Sequence, residues 1–129
     1  MLRASVVILS LALAGFAFAH SNSKWTKGPQ GGHIVDAGGG KQHWELVAKG
    51  NELTLYVSDA DEKPVNVDAG SATGQVLIKG KTHNVAFKPA GGNTLKATGG
   101  FTATKGMRVI VKTSKIGGRS FQARLAPLN

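Results

Sequence analysis

The sequence predicts an all-β chain, an antiparallel β-sandwich of immunoglobulin-like size that follows a cleaved N-terminal signal helix. Three observations carry that reading. Short segments alternate polar and apolar residues with a period of two, they recur about every ten residues between turn signals, and eighteen glycines punctuate the 129 residues. Beyond the N-terminus no stretch sustains the 3.6-residue apolar period of an amphipathic helix.

Taken in order, residues 1–19 form a signal peptide. Arg3 supplies the positive start, residues 6–18 are almost wholly apolar, and Ala17-Phe18-Ala19 fits the small-x-small rule for cleavage before His20. The apolar run is short for a membrane span, and Gln75-Val76-Leu77-Ile78 and Met107-Arg108-Val109-Ile110-Val111 are of strand length, so no membrane span is expected after processing. Removing nineteen residues from 129 leaves 110, enough for one domain with a modest core. Residues 20–27 are polar and aperiodic and read as a flexible arm, and residues 28–129 read as the β-sandwich domain.

The domain opens on a hairpin. His33-Ile34-Val35 and Gln42-His43-Trp44-Glu45-Leu46-Val47 alternate, and Gly38-Gly39-Gly40 supplies residues able to take positive φ. With those three glycines as the loop, Ala37 faces Lys41, Ile34 lies opposite Trp44 and His33 lies opposite Glu45. Ile34, Trp44 and Leu46 then point to the core, while His33, His43 and Glu45 gather on the other face. A register shift of two keeps those faces, and a shift of one breaks the cluster.

Lys49-Gly50-Asn51 turns the chain into Glu52-Leu53-Thr54-Leu55-Tyr56-Val57, whose Leu53, Leu55 and Val57 face inward. The acidic turn at residues 58–64 leads to an extended edge at Pro64-Val65-Asn66-Val67. It lacks the glycine and distal glutamate of a calcium loop. Residues 72–78 and 82–88 form a third hairpin across Lys79-Gly80-Lys81, with Val85 and Phe87 inward and His83 on their parity, a rim histidine and not a ligand. Thr94-Leu95-Lys96-Ala97 is a short strand, Gly99-Gly100-Phe101 a break anchored by an aromatic ring, and residues 107–112 and 120–125 pair across residues 115–119.

Composition narrows the function. Sixteen basic residues face seven acidic ones, and loss of Arg3 with the signal leaves fifteen against seven, a net +8. The lysines are scattered singly with little aromatic interleaving, which describes a solvated surface and not a nucleic-acid groove. The chain has no cysteine, which removes disulfides, thiolate metal sites and cysteine nucleophiles. No Gly-x-Ser-x-Gly elbow, His-Glu-x-x-His helix or phosphate-binding loop is present, and the expectation is a monomer that is not an enzyme.

The candidate metal ligands are His33, His43 and Glu45, with His20 an additional one from the arm. Imidazole, carboxylate and amine donors suit Cu(II), Zn(II) or Ni(II). Polar residues on the outer face of a half-exposed sheet are the competing reading of the three hairpin positions. A first-residue His20 also offers the amine and imidazole of a copper-binding histidine brace, although a brace needs a second placed histidine and a broad substrate face.

A resemblance joins these readings. Gly28-Pro29-Gln30-Gly31-Gly32, Ile34-Val35-Asp36-Ala37-Gly38, His43-Trp44-Glu45-Leu46-Val47, Leu53-Thr54-Leu55-Tyr56-Val57, Asp61-Glu62-Lys63-Pro64-Val65 and Lys88-Pro89-Ala90-Gly91-Gly92-Asn93 together resemble a small periplasmic β-domain. That domain belongs to, or is associated with, the periplasmic adaptor subunits of heavy-metal efflux systems. The resemblance runs from Gly28 to Leu125, and Gln30 departs from the histidine expected at that position. It implies a periplasmic, exported protein associated with heavy-metal handling or efflux, with an efflux adaptor or other envelope protein as partner. The alternative is a structural or interaction module of the cell envelope that binds no metal.

Overall fold

The computed structural model describes residues 26–129. The signal segment, His20 and all but the last two residues of the arm lie outside the described residues. Eight strands follow in order: β1 (His33–Ala37), β2 (Gln42–Lys49), β3 (Glu52–Asp59), β4 (Ser71–Ile78), β5 (Lys81–Pro89), β6 (Thr94–Thr98), β7 (Arg108–Ser114) and β8 (Gln122–Leu125). No helix occurs among the described residues.

Every strand pairing is antiparallel, and the sheet order is β1-β2-β3-β6-β5-β4-β7-β8. The long strand β5 joins what a sandwich would hold as two layers: its body pairs with β4, and its last residues, Lys88 and Pro89, pair with Lys96 and Leu95 of β6. The two ends of the order, β1 and β8, lie side by side, so the sheet curls almost to closure.

Alternation drives this packing. Leu53, Leu55 and Val57 of β3, Val85 and Phe87 of β5, and Val109 and Val111 of β7 are all buried, as the period-two pattern predicts. Trp44 and Leu46 of β2 are inaccessible beside them. Each such side chain contributes about 1.5–3 kcal/mol by leaving water. Gly50 at φ 60° between β2 and β3 and Gly80 at φ 76° between β4 and β5 take the positive φ that glycine adopts without strain, and Lys79 beside Gly80 holds φ 48° as a non-glycine residue. Pro64-Val65-Asn66-Val67 is extended but forms no strand. It meets β3 through a bridge from Ser58 to Pro64, and Val67 is fully buried with its N–H donating to the Gly92 carbonyl at 3.1 Å.

The first hairpin departs from its expected register by one residue. Ala37 pairs with Gln42 and not Lys41, so Lys41 joins the three left-handed glycines in a four-residue loop. His33 then faces Leu46, Ile34 faces Glu45, Val35 faces Trp44 and Asp36 faces His43. Trp44 and Leu46 are inward as expected, but their partners are Val35 and His33, and Ile34 lies on the outer face. Two buried contacts favour this register. Ala37 is 1% exposed, and Gln42 is buried with its amide donating to the Ile116 carbonyl at 2.8 Å.

Side chains close the seam between β1 and β8. The Ala126 N–H donates to His33 Nδ1 at 2.8 Å at one end. At the other end Gln42 reaches Ile116, and the Phe121 ring lies against Gly38, where any Cβ would collide with it. Among the described residues no backbone ladder joins the two strands.

Candidate functional site

The outer face of β1, β2 and β3 carries two cross-strand rows of mostly polar residues. Ile34, Glu45 and Tyr56 are in register across the three strands, and Asp36, His43 and Ser58 form the next row. Two loops cover this face, residues 28–32 and residues 59–64, and together they bound a cleft of about 560 Å³. His43, Glu45, Tyr56, Ser58 and Glu62 line it, with Pro29, Pro64 and Asn93 at its walls.

His43 is 7% exposed, and its Nδ1 lies 2.8 Å from Asp36 Oδ1. The contact follows from register, because directly opposed residues of an antiparallel pair share a face. A carboxylate on one ring nitrogen orients the imidazole as it does in a metal-ligating histidine.

Glu45 is 3% exposed, and its Oε2 accepts two backbone hydrogen bonds, from the N–H of Gln30 at 2.8 Å and of Gly32 at 2.9 Å. The Gly28-Pro29-Gln30-Gly31-Gly32 motif is therefore a cap built on one carboxylate. Gly28 leaves the space that the carboxylate fills, since a Cβ there would overlap it, and Gly31 has φ 79°. The turn closes on itself through the Gly28 N–H to the Gly32 carbonyl at 2.8 Å. Gln30 takes part through its backbone, so the side chain at that position is not what holds the cap.

Of the residues singled out from sequence, the fold brings His43 and Glu45 into one cleft and separates His33 from them. The one-residue change of register puts His33 on the opposite face of β1, where its ring serves the seam. Burial first, and then the Arg108 guanidinium, lower its pKa from 6.5. His20 lies outside the described residues. His83 is half-buried on β5 with its ring 6.4 Å from that of Phe101, the rim position expected of it. Among the described residues no group of three or more histidine, aspartate and glutamate side chains stands ready to hold a metal ion.

Asp36 is the residue the sequence reading missed. Its signal was present, an acidic side chain on the strand facing His43, but the register that pairs them depended on whether Lys41 belonged to the loop. Comparison with protein-family models, curated proteins and solved structures found no match for this chain.

Proposed function

We propose that the protein is an exported, non-enzymatic metal-handling protein that takes Cu(II), Zn(II) or Ni(II) at the cleft over β1, β2 and β3. One observation carries this reading: both candidate ligands in the cleft, His43 and Glu45, already have outer partners of the kind that metal-binding side chains carry. Asp36 holds the His43 ring, and the Gln30 and Gly32 amides hold one oxygen of Glu45. His43 and Glu45 are the protein donors of the cleft, and His20 of the processed chain is a further donor. The motif at residues 28–32, on which the resemblance to the β-domain of efflux adaptors rests, forms the cover of this cleft. The signal segment supports a periplasmic location, and an efflux adaptor or another envelope protein is the partner this setting suggests.

The test is calorimetric titration of Cu(II) and Zn(II) into the chain beginning at His20. His43→Ala should abolish specific binding, and Asp36→Asn should weaken it about 10–100-fold, the usual effect of losing an outer-shell partner. His33→Ala should leave affinity unchanged, because its ring is on the other face. Binding should weaken in acid, since protons compete for the imidazole. Equal affinity in wild type, His43→Ala and Asp36→Asn would reject the cleft as the site and leave the interaction-module reading in its place.

A further inference from the structure

Charge is segregated along this chain, and the fold turns that asymmetry into two sides. All seven carboxylates, from Asp36 to Asp68, fall in the first part of the domain, and no acidic residue follows Asp68. Ten of the sixteen basic residues lie after it. The carboxylates thus sit on β1 to β3 and the loop that follows. In the nearly closed sheet, β4 lies half way round from β2, with β7 and β8 beyond it.

The outer surface of β4, β7 and β8 has a definite pattern. Ile110 is flanked along β7 by Arg108 and Lys112 and pairs with Arg124 of β8. Leu77 of β4, 37% exposed, pairs with Arg108 and stands out as the exposed large hydrophobic side chain among the described residues. The adjoining β4–β5 turn adds Lys79 and Lys81, both exposed.

We propose that this face docks the protein on an anionic lipid bilayer. Cations with no carboxylate among them are attracted to a negatively charged surface, and Leu77 with the half-buried Ile110 places apolar area in the middle of that cationic ring. Neither β4, β7 nor β8 contains an aromatic residue on which a nucleobase could stack, so the surface is poorly made for single-stranded nucleic acid. Docked in this way, the cleft on the far side of the sheet stays open to solvent.

The experiment is sedimentation of the chain beginning at His20 with two kinds of vesicle, phosphatidylcholine alone and equal parts phosphatidylcholine and phosphatidylglycerol. The described fold lies wholly beyond residue 25, and omitting residues 1–19 keeps their apolar run from partitioning by itself. Binding is expected only to the anionic vesicles and should fall with added salt. Lys112→Gln with Arg124→Gln should weaken it roughly five-fold per charge, about 25-fold together, with circular dichroism unchanged. The matched pair Lys41→Gln with Lys49→Gln, on the β1–β2 side, should change it little. Leu77→Asn, an exposed position whose substitution leaves the core alone, should weaken vesicle binding but not the binding of soluble polyglutamate. Equal losses from the two pairs would reduce the effect to net charge and overturn the proposal. So would absence of binding, or polyglutamate bound as tightly as vesicles with Leu77→Asn without effect, which would point to an acidic protein.

Discussion

At the scale of single residues, the chain that runs from Trp44 through Gln42 to Ile116 shows how polar groups are afforded a place in this core. The buried Trp44 indole N–H donates to Gln42 Oε1 at 3.0 Å, and the Gln42 amide nitrogen donates onward to the Ile116 carbonyl at 2.8 Å. No buried side-chain nitrogen or oxygen among the described residues lacks a partner. Trp44→Ala removes the largest of the fully buried side chains and should cost ~3–5 kcal/mol. Gln42→Leu keeps the volume but strands the indole N–H, at about 1–3 kcal/mol for a buried group left unpaired, while the Ile116 carbonyl keeps the Arg119 N–H at 3.1 Å. Urea unfolding followed by circular dichroism measures both. A Gln42→Leu variant as stable as wild type would mean that water reaches the indole N–H. Trp44 could be placed inward from its parity with Leu46 alone, whereas Gln42 reads in sequence as one more polar strand residue. Its partner at Ile116 is 74 positions away.

At the scale of elements, one end of the seam between β1 and β8 rests on a ring nitrogen that protonation would block. His33 Nδ1 accepts from the Ala126 N–H, so the neutral imidazole makes the contact and the imidazolium, with a proton on that nitrogen, opposes it. The Arg108 guanidinium adds positive charge beside it. Burial and Arg108 depress the folded-state pKa below 6.5. Folding therefore favours the neutral ring, and its stabilisation is complete above pH 6.5 and lost as pH falls through the lower folded value. Hydrogen exchange of the Ala126 amide, corrected for intrinsic rates, should lose protection below pH 6.5 ahead of the amides in the β7–β8 ladder. His33→Gln should abolish that difference in pH response. Parallel loss across both sites in wild type would show that the seam does not turn on this ring.

For the whole molecule, a domain without disulfides rests on its core and on near-closure of its sheet. Its net stability is expected at ~5–15 kcal/mol, so the Trp44 substitution removes a large share. Closure also bears on association, because strands that would otherwise offer two open edges lie against each other. The molecule has an acidic side that carries the cleft and a basic side across the sheet from it, so the proposed cation site and the proposed docking face lie apart. Protein recovered from the cell envelope should begin at His20 by intact mass spectrometry. Recovery chiefly as the full-length chain in the soluble cytoplasm would reject export.

The amino-acid sequence by itself determined much of the local structure: the glycine-bearing turns between β2 and β3 and between β4 and β5, the inward faces of β2, β3 and β5, and the rim position of His83. These follow from backbone freedom and period-two burial, which each segment carries within itself. Only the tertiary structure decided the register of the first hairpin, because three glycines permit loops of different length and neighbouring registers differ by contacts made elsewhere. Ala37 in the core, Gln42 on Ile116 and Phe121 on Gly38 select the register observed. That selection sends His33 to the seam and brings Asp36 to His43. A one-residue slip exchanges the faces of a strand, so the partners of both histidines were settled by packing between distant segments and not by the hairpin's own residues.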